Sequence, residues 1–437
     1  MALLTKAARG TQDVVPKDSY KWQFIEDVMR KESAAHGFSE IRTPVFEHTE
    51  LFLRSVGETT DVVQKEMYTF EDKGGRSITL RPEGTAGAIR VMLEHGVYND
   101  GLPVKTYYFS SCYRYEKPQA GRLREFHQFG LEIFGTSSPA ADAELISMAS
   151  SLFERLQVKN LSLQINSIGC PTCREKFQAA LLEYFKKNEA QLCETCHTRL
   201  EKNPMRIFDC KSPVCQKIAG AAPVMLDFLC EECKEHFETV KRYLDTAKID
   251  YIVNPKIVRG LDYYTKTVFE FVSNEIGAQG TICGGGRYDG LVKELGGQSM
   301  PSLGFGLGME RLLLLLEIQK IELPSPPPCD LYIASLGDAA GQKAFELVRD
   351  VRNAGLIAQN DIVGRSLKAQ MKYADKLRAK FSMVLGDDEI KNQKAKIRNM
   401  KTGEEIEIDL GEDFFASFFA LYIEEDQKRL TEEFSIS

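Results

Sequence analysis

The stretch VKTYYFSSCYRYEKPQAGRLREFHQFGLEIFG, Val104 to Gly135, decides the fold. Two runs rich in aromatic and β-branched residues flank KPQAGRL, which carries the proline, glycine and polar residues that turns use. The pattern predicts a large hairpin, and with it an antiparallel sheet. Strand alternation then sorts the side chains onto two faces. Arg114 and Glu116 share a face of the first strand; Phe126, Gln128, Gly130, Glu132 and Phe134 share one of the second. His127, Phe129, Leu131 and Ile133 form the opposite, mostly apolar face, which suits a core. The first face holds an arginine, two acids, an amide and an aromatic ring, too polar for a core. A solvated face and a ligand-binding face both fit that pattern.

Outward from the hairpin, SYKWQFIEDVMRKESAAHGF has helical spacing and stops at Gly37. EIRTPVFEH reads as one strand, with Pro44 at a sheet edge or strand end. RSITLRPEGTAGAIRVMLEHG reads as strand, turn and helix. Within it, Glu83 and Thr85 lie two apart after Pro82, which holds the chain extended. Together they could bind an ammonium group; equally, Thr85 could cap the helix. GFGLGMER sets Gly304, Gly306 and Gly308 in strand register before Arg311. Either a flat ligand approaches the backbone there, or sheet packs closely on helix. CGGGRYDG looks like a phosphate loop, but no Gly-Lys-Ser/Thr follows, so it is a turn near Arg287, Tyr288 and Asp289. VRGLDYYTKTVFEFV, Val258 to Val272, is a strand with Arg259, Asp262, Tyr263 and Tyr264 at its mouth. Three separated arginines (Arg114, Arg259, Arg311) and scattered carboxylates suit a polyanion together with a cation, as a nucleotide and an amino acid would be.

A chain of 437 residues predicts two or three domains. Residues 1–322 form the expected main body, interrupted at about 170–245 by a cysteine-rich segment. Residues 323–330, LPSPPPCD, form a proline-rich linker. Residues 331–437 alternate strand and helix, which predicts an α/β domain with a mostly parallel sheet. The net charge of -7 argues against a protein that coats nucleic acid nonspecifically. The basic residues are instead local. Arg365, Lys368, Lys372, Lys376, Arg378 and Lys380 stand against only Asp361 and Asp375, and KNQKAKIRNMK adds cations without an acid. Localised contact with a nucleic-acid backbone and a solvated helix face both fit. MALLTKAARG lacks a secretory leader and RLLLLLEIQ is too short to span a bilayer, so a cytoplasmic protein is expected.

The whole chain resembles the class II aminoacyl-tRNA synthetases, and within them the histidyl-tRNA synthetase family. GFSEIRTPVFEH resembles motif 1, the dimer element. CYRYEKPQAGRLREFHQFGLEIFG resembles motif 2, with Arg114-Tyr115-Glu116 as its Arg-x-Glu. GFGLGMERLLLLLE resembles motif 3, with Arg311. RGLDYYTKTVFEF and GGGRYDGL resemble the family's two histidine-specific signatures. The resemblance implies an α+β catalytic domain with a mainly antiparallel sheet and a C-terminal α/β anticodon-binding domain. It implies a homodimer that ligates L-histidine to tRNA(His) through a histidyl-adenylate, with ATP as substrate and Mg2+ on the outer phosphates.

It also implies roles. Glu83, Thr85 and Gln128 would hold the α-amino group of histidine, beside Gly84. Glu132 and Tyr264 would hold the imidazole nitrogens, with Tyr263 lining the pocket. Arg114 would hold the α-phosphate, Glu116 the adenine amino group and Arg122 the outer phosphates. Phe126 and Arg311 would sandwich the adenine ring. Arg114 and Arg259 would be catalytic, with Arg259 supplying a second cation where related synthetases use a metal ion. Asp262 has no assigned task beyond a structural hydrogen bond. A related regulatory subunit of ATP phosphoribosyltransferase binds histidine without charging tRNA; it lacks the C-terminal module and the catalytic arginine, and this chain has both.

Eight of the eleven cysteines fall between residues 170 and 233: Cys170 with Cys173, Cys193 with Cys196, Cys210 with Cys215, and Cys230 with Cys233. The spacing suits one or two tetrahedral zinc ions. The resemblance points the other way, since the family's insertion often has few or no cysteines. A redox role lacks a thioredoxin-like context, and Cys112, Cys283 and Cys329 read as packing residues.

Overall fold

The computed structural model describes residues 5–56, 60, 62–202, 204–210, 212–257, 263–277 and 280–434, without the side chains of 201, 202, 206, 209 and 428–434. The chain divides into two compact units, Met1–Pro324 and Ser325–Ser437.

The first unit is built on an eight-stranded sheet. Its order is Ser39–Glu40, Val104–Tyr113, Glu125–Phe134, Ser302–Gly308, Thr281–Arg287, Thr265–Ser273, Leu161–Ser167 and Ile252–Val253. Only the two outermost pairings are parallel; every pairing between them is antiparallel. The hairpin pairs Val104 with Phe134 through to Tyr113 with Glu125, so KPQAGRL lies in the connection as expected, but Arg114 and Glu116 lie there too, past the end of the strand rather than on one of its faces. One face of the sheet is the core. Phe129, Leu131, Ile133, Phe269, Phe271, Leu303, Phe305 and Leu307 pack against helices Pro139–Arg155, Glu231–Thr246 and Met309–Ile318. Burying that continuous apolar face drives assembly of the unit.

EIRTPVFEH is two strands rather than one. Ser39–Glu40 edges the large sheet, whereas Phe46–His48 pairs with Ser77–Leu80 in a separate three-stranded sheet. Pro44 lies in the gap, where the missing N–H and fixed φ end one ladder before the other starts.

The cysteine-rich segment is mainly helical, with Pro171–Lys187, Glu194–Lys202 and Pro213–Gly220 around a small core of its own. Its last helix, Glu231–Thr246, belongs to both worlds. Cys233 joins the small core, while Phe237, Val240 and Leu244 sit in the main one.

The second unit has five strands in the order Ala358–Asn360, Leu331–Ser335, Phe381–Leu385, Lys394–Asn399 and Glu405–Asp409. The first three are parallel and the last two form an antiparallel hairpin, so the sheet is mixed rather than mostly parallel. The hairpin consumes part of the KNQKAKIRNMK charge: Lys394 pairs with Glu407 at 2.7 Å and Lys396 with Glu405 at 3.8 Å. These partners lie in the next strand, beyond the stretch that looked purely basic.

Candidate active site

On the sheet face opposite the core lies an open cleft of about 380 Å³. Its floor follows from strand register. Gly130 pairs with Gly306, Gly306 with Gly284, and Gly284 with Glu270, so three glycines adjoin across three strands. Three side chains are missing from one row, and the row becomes a trough. At its closed end the ring of Tyr108 covers Gly130 and Gly84, and a Cβ on either glycine would strike that ring.

One residue further along the same face, Glu132 pairs across the strand with Gly304, which leaves room for the carboxylate. Glu132 is fully buried. Tyr108 donates its hydroxyl to Glu132 at 2.9 Å, and Tyr288 donates to the other carboxylate oxygen. Burial pushes the Glu132 pKa up to about 8, against the opposing pull of bonds from Tyr288, Thr85 and Tyr108. Tyr263 and Tyr264, nearly buried, meet as tilted rings with centroids 4.7 Å apart and close an aromatic cluster with Tyr288. This corner is a polar acceptor enclosed by phenols, a setting that can satisfy a small heteroaromatic ring with nitrogen donors.

Glu83 has two tasks. Its carboxylate accepts from the backbone N–H of Thr85 at 2.6 Å and of Ala86 at 2.9 Å, so Glu83, not Thr85, caps the helix Thr85–Glu94. It also lines the cleft beside Thr85 and Gln128. Its burial raises its pKa, partly offset by the helix amides.

The other end of the cleft is cationic. Arg114 donates to the carbonyl of Pro82 at 2.8 Å and lies over Phe126, 5.3 Å from the ring centroid. Arg122 pairs with the buried carboxylate of Glu116. Arg311 donates to the carbonyls of Gly121 at 3.2 Å and Thr281 at 2.7 Å. Burial, then repulsion from Arg122 and Arg114, lowers the pKa of Arg311. Three guanidiniums that repel one another in a partly buried cleft form a site for a polyanion.

The cleft therefore gathers Glu83, Thr85, Arg114, Glu116, Arg122, Phe126, Gln128, Tyr263, Tyr264 and Arg311 in one place. Glu132 lies just beneath, held by two phenols. Arg259 and Asp262 lie outside the described residues. The glycines of GFGLG divide their work: Gly304 seats Glu132, while Gly306 and Gly308 line the cleft. The first three glycines of GGGRYDG are strand residues rather than a turn, paired on both sides within Thr281–Arg287, and the turn comes only at Asp289–Gly290. Arg287 is wholly buried and tied to Asp142 and Asp289, a structural role.

Sequence reasoning missed Tyr108, Tyr288 as a ligand of Glu132, and the lining acids Glu270 and Glu310. A glycine facing an aromatic residue across a hairpin was the available signal for Tyr108, since rings often cover such glycines. Glu310 gave none: it binds the backbone N–H and ring Nδ1 of His127 across the sheet–helix junction, and raises the His127 pKa through that bond.

In the second unit, Lys368, Lys372 and Lys376 are exposed at four-residue intervals on helix Leu367–Lys376, one face of it. Arg365, Arg378 and Lys380 are engaged instead, with Asp361, with Ser325 and Pro326, and with Asp330. No described helix is long and apolar enough to cross a membrane.

Comparison with known proteins places this geometry in context. Residues 10–312 match the family model described as histidyl-tRNA synthetase, and residues 330–414 match an anticodon binding domain. The chain is 57% identical over 406 residues to the histidine–tRNA ligase of Caldanaerobacter subterraneus subsp. tengcongensis, covering 93% of this chain and 97% of that protein. It is 56% identical over 410 residues to the ligase of Thermoanaerobacter pseudethanolicus, covering 94% and 98%. The crystal structure of apo S. aureus histidyl-tRNA synthetase superposes with a TM-score of 0.82 at 42% identity, covering 95% of this chain and all of that one.

Proposed function

The chain belongs to the histidyl-tRNA synthetase family, and from that membership we propose how its cleft works. Its function is the ATP-dependent charging of tRNA with histidine in translation. Histidine lies over the glycine floor at the phenol-lined end. Its α-amino group meets Glu83, Thr85 and Gln128, beside Gly84. Glu132 and Tyr264 meet the imidazole nitrogens, and Tyr263 walls the pocket. ATP takes the cationic end. Adenine lies between Phe126 and Arg311, which requires Arg114 to leave the Phe126 ring it covers in the empty cleft; Glu116 takes the exocyclic amine, Arg114 the α-phosphate and Arg122 the outer phosphates. The chain's residues hold the histidine carboxylate in line with the α-phosphorus, and charge building on the phosphoryl oxygens is met by Arg114 and Arg259. Mg2+ bound with ATP would supply further positive charge at the outer phosphates, beside Arg122. The product is a histidyl-adenylate, which the terminal ribose hydroxyl of tRNA(His) attacks; no side-chain nucleophile takes part.

The observation that carries this reading is the joining of two chemistries in one cleft: three guanidiniums at one end, buried carboxylates and phenols at the other. Histidine-dependent exchange of pyrophosphate into ATP tests it. Histidine alone of the amino acids should support exchange, and Arg114→Ala or Arg259→Ala should nearly abolish it in a folded protein. Exchange with another amino acid would overturn the specificity, and normal exchange in either variant would overturn that arginine's role.

The remaining parts of the reading concern assembly. The second unit binds the anticodon stem, with the Lys368, Lys372 and Lys376 face as its backbone contact. A cytoplasmic homodimer fits the exposed Val45, Phe46 and Phe70 beside and on the three-stranded sheet, Phe46 being 58% exposed. Sedimentation at the single-chain mass would refute the dimer. The insertion carries structural zinc, outside the path of the reaction.

A further inference from the structure

The eight cysteines of the insertion, far apart in sequence, meet in two sets of four. Cys170, Cys173, Cys230 and Cys233 form one; Cys193, Cys196, Cys210 and Cys215 form the other. Within each set the sulfurs lie within 4.8 Å of one another. All eight are free thiols, with Cys170 and Cys173 sulfurs 3.5 Å apart and Cys193 and Cys210 sulfurs 3.7 Å apart. Those gaps are far longer than a disulfide. They match the edge of a tetrahedron of roughly 3.8 Å implied by zinc–sulfur bonds of about 2.3 Å. Backbone amides are aimed at the sulfurs: Cys230 N–H at Cys173 Sγ, Cys193 N–H at Cys215 Sγ, and Ser212 N–H at Cys210 Sγ. Amides so placed stabilise thiolates as metal ligands.

The two sets differ in what they touch. The nested outer set closes the base of the insertion, which is tied to Lys266 on the strand Thr265–Ser273. Gly169, next to Cys170, accepts from Lys266 N–H at 2.9 Å, and Lys266 carbonyl accepts from Ile168 N–H at 2.8 Å. Glu232, between Cys230 and Cys233, pairs with Lys266 Nζ at 2.8 Å. Lys266 is two residues from Tyr264, and Ile168 shares one core cluster with Tyr263, Tyr264 and Tyr288. The inner set packs in the insertion's own small core, with Leu192, Leu200, Ile207 and Ile218.

Resting on the zinc reading above, we propose that the chain binds two zinc ions with separate duties: the ion of Cys170, Cys173, Cys230 and Cys233 positions the histidine pocket, and the ion of Cys193, Cys196, Cys210 and Cys215 holds the insertion together. The first ion clamps both chain ends of the insertion, and through Lys266 it fixes the strand entry that presents Tyr263 and Tyr264. These cysteines are positioning residues and touch no substrate.

Elemental analysis and exchange kinetics on the full-length protein test the two levels separately. The purified chain should hold two zinc ions, and Cys196→Ser one. Cys196→Ser should keep the parent KM for histidine in exchange while the insertion becomes sensitive to protease. Cys233→Ser should also hold one, with the KM for histidine raised about tenfold or more and the KM for ATP little changed. Cys233→His, which offers an imidazole nitrogen in place of the lost sulfur ligand, should restore both the metal and the KM. Less than one zinc per chain, or iron in its place, overturns the zinc reading itself. Two zinc ions in the parent but one in Cys233→Ser, with the histidine KM unchanged by that loss, overturns only the division of duties. If Cys233→Ser does not fold, chelator treatment of the parent followed by zinc addition supplies the same readout: a histidine KM that neither rises nor recovers refutes the positioning role.

Discussion

A methyl group added to the cleft floor separates a binding trough from tight packing. At Gly306 a Cβ would meet nothing closer than the Gln128 side chain at 3.5 Å, an ordinary contact. The backbone there is regular strand paired to Gly130 and Gly284, so Gly306→Ala should fold normally, with stability changed by less than about 1 kcal/mol. The methyl raises the floor by roughly 1.5 Å, the length of a carbon–carbon bond. A ligand lying on that floor is displaced by about as much, and misplacement on the order of 1 Å costs about 100-fold in rate. Histidine-dependent pyrophosphate exchange should therefore fall 10- to 100-fold, on the order of 1.4–2.7 kcal/mol, with the melting temperature unchanged. Gly304→Ala is the contrast. Its Cβ would stand 2.5 Å from the carbonyl oxygen of Leu131, which is backbone and cannot swing aside, and would overlap the Glu132 carboxylate. That variant should lose about 1–3 kcal/mol or more of stability and melt several degrees lower. Full exchange activity in Gly306→Ala would refute the trough, leaving the glycine row as packing. Parent-like stability in Gly304→Ala would refute the seat assigned to Glu132.

Two further expectations concern charge. The folded pKa of Glu132, about 8, stands well above the ordinary carboxylate value of about 4.3, so the folded chain binds the extra proton between those values. Its contribution to stability is present at low pH and is lost as pH rises towards 8. Glu132→Gln cannot ionise, so urea midpoints of the parent should fall relative to the variant between about pH 4.3 and 8; parallel profiles would sink the assignment. The triple substitution of Lys368, Lys372 and Lys376 by Ala should raise the KM for tRNA severalfold and flatten its salt dependence, without touching tRNA-independent exchange; equal loss in both assays would remove that helix face as the tRNA contact.

Much of the site was legible because short-range pattern carried it. Alternation along Phe126–Phe134 put Gln128 and Glu132 on one face, and the structure joins that face to Arg114, Phe126 and Arg311. What pattern left open was settled by neighbours distant in sequence. Thr85 read equally as ligand or cap until Glu83 was seen to accept the helix amides. Gly304, Gly306 and Gly308 read equally as ligand floor or close packing, and the cross-strand register gave each a different answer. The basic stretch in the second unit lost two of its lysines to glutamates in the following strand.

The sequence by itself determined the antiparallel hairpin, the polar and apolar faces, the second α/β unit and the resemblance that names the chemistry. These depend on periodicity and local residue type, which a linear string preserves. Tertiary structure alone decided that EIRTPVFEH serves two sheets, that Tyr108 and Tyr288 hold Glu132, and that eight cysteines divide as outer and inner fours rather than in sequence order. The physical reason is common to all three. Each depends on which strands and helices become neighbours, and that is fixed by burial of the whole apolar face at once, not by any segment read alone.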